Sequence, residues 1–112
     1  MKKRLSIALI SLFGLFLLMN QPAFAADLAN GEAVFQVHCV GCHVNGGNIV
    51  RRGKTLKLKA LQKNKMDSIE AITEIVTHGK NNMSAYGDRL SEQEIQNVAA
   101  YVLEQAQQGW KS

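Results

Sequence analysis

Residues 39–43 read Cys39-Val40-Gly41-Cys42-His43, and the chain holds no other cysteine. A Cys-x-x-Cys-His run is the attachment signal for c-type haem. Each thiol adds across one vinyl group of the porphyrin. Two intervening residues match the vinyl spacing on one helical turn, and the histidine that follows lies under the ring with a nitrogen for the iron. The run therefore points to a covalent haem and one axial ligand together, and the rest of the chain is expected to wrap that group.

The N-terminus indicates where such a group is assembled. Lys2, Lys3 and Arg4 form a positive start, Leu5 to Met19 carry no charge, and Ala23-Phe24-Ala25 is an A-x-A cleavage signal. This is the pattern of a secretory signal peptide, residues 1–25. Its apolar part is short of the ~18 residues that a membrane span needs. Residues 26–112 are expected as the mature chain, one small domain near the size at which a core alone is marginal. A large flat apolar cofactor suits that size. An exported pair of thiols also admits a disulfide or a redox Cys-x-x-Cys, but no βαβ pattern accompanies these two. The precursor's net charge of +4 includes the three leader cations. Ten basic residues then face nine acidic ones, so the basicity is no nucleic-acid signature.

The mature chain reads as helices joined by loops. Ala29 to Cys42 is the first, with Gly31, Phe35 and Cys39 on one face. Residues 45–53, with three glycines, form a loop, and Thr55 to Gln62 is a weaker helix. Asp67 and Glu70 make a capping box for a helix with Ile69, Ile72, Ile75 and Val76 as its stripe, stopped by Gly79. Ser91 and Glu94 make a second capping box. Ile95, Val98, Ala99, Val102 and Ala106 share one face of the last helix, which Gly109 ends. No segment alternates long enough for a strand. Phe35 is expected to pack on the last helix near Val98 and Tyr101, and Trp110 to cover that helix's end.

His43 leaves the iron's other face open, and its occupant decides function. A sulfur or nitrogen ligand favours electron transfer; an open site favours ligand binding or peroxidase chemistry. The candidates are Met66, Met83, His38 and His78. Met83 lies in the loop 79–88, where it can swing across a ring while the helices stay fixed. Met66 adjoins a helix cap and reads as packing. His38 directly precedes Cys39 and points away from the far side of the ring. His78 reads as a helix-end residue, where positive charge is favoured.

Several segments in order resemble cytochrome c6: Ala26-Asp27-Leu28-Ala29-Asn30-Gly31, the Cys39–His43 run, His78-Gly79-Lys80-Asn81-Asn82-Met83, Ala99-Ala100-Tyr101-Val102-Leu103 and Gly109-Trp110. The resemblance spans essentially the whole mature chain. It implies an all-α class I cytochrome c fold, about four helices around one covalent haem c, with His43 and Met83 as axial ligands. It also implies a soluble one-electron carrier, not an enzyme, in the thylakoid lumen or periplasm. Such a carrier works between the cytochrome b6f complex and photosystem I, or feeds a terminal oxidase.

Two positions depart from the family pattern. Met83-Ser84-Ala85 stands where Met-Pro-Ala is usual, so the loop lacks the stiffness of a fixed φ. Ile75 stands where glutamine is usual, which removes a polar group from near the haem. The apolar residue at position 75 resembles the divergent, lower-potential c6-like proteins and also fits the apolar stripe, whereas Ser84 keeps the methionine and loosens its approach to iron. The segment 51–65 carries Arg51, Arg52, Lys54, Lys57, Lys59, Lys63 and Lys65 with no acidic residue. It reads as a solvated face, a docking patch for an acidic partner or counter-charge for the propionates. Arg89 is a second docking candidate by family resemblance. A small haem peroxidase and a haem-based sensor are the alternatives from other classes.

Overall fold

A computed structural model describes residues 25–111, and the expected signal peptide lies outside them apart from its last residue. Four helices follow in order: α1 Leu28–His38, α2 Leu58–Lys63, α3 Ile69–His78 and α4 Glu92–Gln108, with a 3₁₀ turn at Val44–Gly46 after α1. Among the described residues there is no strand, only an isolated bridge between Lys80 and Met83. The all-α expectation holds. None of the described helices is long and apolar enough to cross a membrane.

Local chemistry accounts for the helix starts. The Asp27 carboxylate accepts from the Asn30 N–H at 3.0 Å and caps α1. Ser91 and Glu94 form the expected reciprocal box on α4, with bonds of 3.1 and 3.0 Å. At α3 the cap is Ser68, not Asp67: the backbone is still extended at Ser68, whose Oγ accepts from the Ala71 N–H at 3.1 Å. Two residue types with cap preference stand side by side here, and the helical turn begins one residue later than the Asp67–Glu70 spacing indicates. Helix α1 stops at His38 rather than Cys42, because the N–H groups of Cys39 and Val40 both bond to Phe35 O. The short helix α2 begins three residues later than Thr55 and runs to Lys63.

Helix α4 packs across α1 and α3 and more lightly on α2. The crossing with α1 depends on Gly31, where a Cβ would collide with the Asn97 carbonyl and lie 2.9 Å from Tyr101 Cβ. Phe35, 2% exposed, fills the angle with its ring centroid 5.4 Å from that of Tyr101. Val34, Ile72, Val76, Leu90, Ile95, Val98, Ala99 and Val102 complete the core. Burying such a side chain is worth about 1.5–3 kcal/mol.

One buried polar residue at this crossing carries no sequence signal. Asn97 is 3% exposed, and both ends of its amide are hydrogen-bonded. Its Oδ1 accepts from the Asp27 N–H at 3.0 Å and from Gln93 Nε2 at 3.1 Å, while its Nδ2 donates to Asn30 Oδ1 at 2.9 Å. The amide thereby ties the start of α1 to α4 at little cost in unmet hydrogen bonds.

Candidate haem-binding site

The four helices leave a cleft of about 280 Å³ between α1 and its following turn, α2, α3 and the loop before α4. Cys39, Cys42, His43 and Met83 all line it, over a floor that includes Phe35, Leu61, Ile72, Val76, Val98 and Val102. The candidates that the sequence places forty residues apart therefore share one cavity.

The cysteine segment leaves α1 on a tight turn, with Cys42 N–H and His43 N–H both donating to Cys39 O at 3.2 and 3.0 Å. Asn45 (φ 53°) and Gly46 (φ 75°) then reverse the chain so that Gly47 O meets His43 Nδ1 at 2.8 Å. A carbonyl only accepts, so Nδ1 carries the proton and Nε2 keeps its lone pair for a metal. Trp110 supports this reversal. A Cβ on Gly46 would lie 2.5 Å from its indole, and the indole Nε1 donates to Leu56 O at 2.9 Å. The tryptophan ring also packs tilted against Phe35, with centroids 5.3 Å apart, so it does more than cover the end of α4.

Cys39 and Cys42 are not joined in a disulfide. Burial pushes the Cys39 thiol up to about 11. A reactive redox cysteine needs the opposite shift, so Cys39 does not have the electrostatics of a thiol–disulfide nucleophile.

The loop carrying Met83 is built on the end of α3. Lys80 and Met83 exchange two backbone bonds of 3.0 and 2.9 Å around Asn81, which sits at φ 54°. Beyond Met83 the chain returns to α3: Tyr86 N–H donates to Val76 O at 2.8 Å and Gly87 N–H to Thr77 O at 3.0 Å. These bonds satisfy carbonyls that a helix end leaves free. Met83 itself is half-buried against the core.

The other candidates fall around the same cavity. Met66 is half-buried and lines it, at its wall rather than in the core cluster. His38 is exposed and lines the cavity, its ring edge-on to that of Tyr86 with centroids 5.8 Å apart. His78 ends α3, exposed, 3.5 Å from Glu74. Ile75 is half-buried and lines the cavity, so it serves both the apolar stripe and the site wall. Ser84 is exposed but reaches the cavity lining. All seven cations of segment 51–65 are exposed, and Arg51 and Lys54 border the cleft. Arg89 is exposed with its guanidinium 5.3 Å over the Tyr86 ring. Sequence reasoning missed Tyr86, Leu56 and Gly47, whose parts depend on partners distant in sequence or on a backbone atom.

A deep apolar slot, two cysteines beside a histidine with one nitrogen held by a carbonyl, and a thioether on the same cavity are a donor set that fits haem c. Fold and site together define a small single-haem c-type cytochrome. Comparison with known proteins narrows the class. A family model described as cytochrome c oxidase, cbb3-type, subunit III matches residues 26–102. A cytochrome c6-like protein of Nostoc sp. (strain PCC 7120) is 60% identical over 99% of this chain and 100% of its own. Cytochrome c6 of Synechococcus sp. (strain PCC 6312) is 49% identical over 98% of each. The crystal structure of cytochrome c6C from Synechococcus sp. PCC 7002 is 61% identical, covers 70% of this chain and 96% of that one, and has a TM-score of 0.69. The chain belongs to the cytochrome c6 family, whose members are electron carriers with one covalently bound haem c, not enzymes.

Proposed function

We propose that Cys39 and Cys42 hold the haem through two thioethers and that His43 Nε2 and Met83 Sδ are its axial ligands. On this reading residues 1–25 direct export, and residues 26–112 act as a soluble one-electron carrier in the thylakoid lumen or periplasm. The carrier takes one electron from the cytochrome b6f complex and passes one to photosystem I. When bound, the haem supplies the Fe(III)/Fe(II) couple, and Met/His ligation favours a high potential. The chain's own residues do the rest. The Gly47 carbonyl orients the His43 ring, the α3-anchored turn holds the thioether, and the apolar floor excludes water. The observation that carries the reading is that Met83 and His43 line one apolar cavity, with His43 Nε2 left free by the Nδ1 bond.

A second reading shares this site and differs in the acceptor. The c6-like and c6C relatives are 60% and 61% identical, against 49% for the Synechococcus cytochrome c6. Together with Ile75 and Ser84 this favours a divergent, lower-potential carrier that serves another acceptor, such as a terminal oxidase.

Two measurements on purified protein test these readings. Haem staining of a denaturing gel should remain in the wild type and vanish in the Cys39→Ser/Cys42→Ser double variant; full staining in the variant overturns the attachment. The midpoint potential then separates the acceptors. A high value supports photosystem I, and a markedly lower one supports the divergent carrier.

A further inference from the structure

Tyr86 occupies a position that no local motif explains. Its hydroxyl donates to the carbonyl oxygen of His38 at 3.1 Å, a bond between residues 48 apart. That carbonyl ends α1, immediately before Cys39, and among the described residues no backbone N–H of the loops or caps reaches it. The backbone of Tyr86 is held at the same time. Its N–H is on Val76 O at 2.8 Å, and its own carbonyl accepts from Arg89 and Leu90, each at 3.0 Å. The ring is flanked by the His38 imidazole, edge-on with centroids 5.8 Å apart, and by the Arg89 guanidinium, 5.3 Å from its centroid. The side chain lines the cavity.

These contacts put Tyr86 between the two segments that carry the sulfur groups of the site. Met83 lies three residues before it, and Cys39 follows the carbonyl it bonds. The intervening Ser84 and Ala85 donate no backbone hydrogen bond to any described residue of the loops. Met83 is thus restrained by the Lys80 turn on one side and by Tyr86 on the other.

We propose that Tyr86 is a positioning residue: its phenol latches the Met83 loop to the end of α1 and so retains the thioether at the sixth coordination position. The inference rests on Met83 being that ligand. The hydroxyl touches neither iron nor ring in this role. It raises the cost of swinging the loop outward, which any competing ligand must meet before it binds.

Tyr86→Phe tests it, because the variant keeps the ring between His38 and Arg89 and deletes only the donor. The probe is imidazole titrated into the oxidised holoprotein and followed by loss of the sulfur-to-iron absorption band. A single neutral hydrogen bond corresponds to roughly fivefold in an equilibrium, so imidazole should bind Tyr86→Phe about fivefold more tightly than wild type. Equal affinities in the two proteins overturn the latch. Met83→Ala, run beside it, reports on the premise: it should lack the band before imidazole is added. If it retains the band, the ligand assignment fails whatever Tyr86→Phe does. A band absent in Met83→Ala with unchanged imidazole affinity in Tyr86→Phe removes the latch alone.

Discussion

A Cβ on Gly79 would lie 2.6 Å from the carbonyl oxygen of Met83 and 2.8 Å from Ala85 N. Gly79 itself has φ 70° and ψ 175°, a conformation that side chains disfavour. The loop bearing the thioether therefore lies in space that only glycine leaves at the end of α3. Gly79→Ala should destabilise the holoprotein by about 1–3 kcal/mol and weaken the sulfur-to-iron band, since backbone rather than a flexible side chain must move. Urea unfolding and an absorption spectrum check this; a variant that matches wild type in both shows that the loop has a second, equally good course.

Met83 and Met66 line the same cavity, but only Met83 packs against the core cluster. Met83→Ala should remove the sulfur-to-iron band, open the iron to water and lower the potential. Met66→Ala should keep the band. The reverse pattern would exchange the two assignments.

Ile75 lines the cavity and offers it no dipole. An amide here directs an N–H toward the site and stabilises the electron-rich reduced state, so Ile75→Gln should raise the midpoint potential with Met83 still bound. The amide also makes the wall more polar, which opposes the gain by favouring Fe(III). Redox titration decides between them. An unchanged or lower value with the band intact leaves Ile75 as a packing residue.

The capping box of α4 makes stability depend on pH. The Ser91 backbone N–H, and secondarily its hydroxyl, hold the Glu94 carboxyl below its ordinary value of 4.5. A depressed pKa in the folded state means the contribution is present above the unfolded value and lost as pH falls through the folded one. Wild type should lose stability on acidification below about pH 4.5 more steeply than Glu94→Gln, which keeps the box geometry but does not titrate. Denaturation midpoints at pH 7 and through the acid range give the comparison, and parallel curves would remove Glu94 from the acid response.

Arg89 is exposed above Tyr86, which lines the cavity. If it steers an acidic partner, Arg89→Glu should slow electron delivery to photosystem I at low salt, with the difference closing as salt screens the charge. Flash kinetics over an ionic-strength series measures it. Identical rates throughout would move the search to the cations of segment 51–65.

The sequence by itself determined the features that arise within a turn or two of chain. The Cys39-Val40-Gly41-Cys42-His43 run is legible because a Cys-x-x-Cys-His signal lies within five residues of chain. The Ser91–Glu94 box and the glycine stops at Gly79 and Gly109 are legible because a helix end is satisfied by residues three or four away. The same locality explains the slip at α3, where Asp67 and Ser68 both have cap chemistry and only the backbone conformation chose Ser68.

Only the tertiary structure decided what stands opposite what. It closed Gly31 against Asn97, satisfied that buried amide with Asp27, Asn30 and Gln93, and set Trp110 under the turn that aims His43. It also brought Met83 into the cavity of His43 and joined Tyr86 to the carbonyl before Cys39. These pairings join residues far apart in the chain through carbonyl oxygens, single glycines and the shape of a packed core. None of those leaves a periodic trace in sequence, because the partner is selected by helix crossing and not by spacing along the chain.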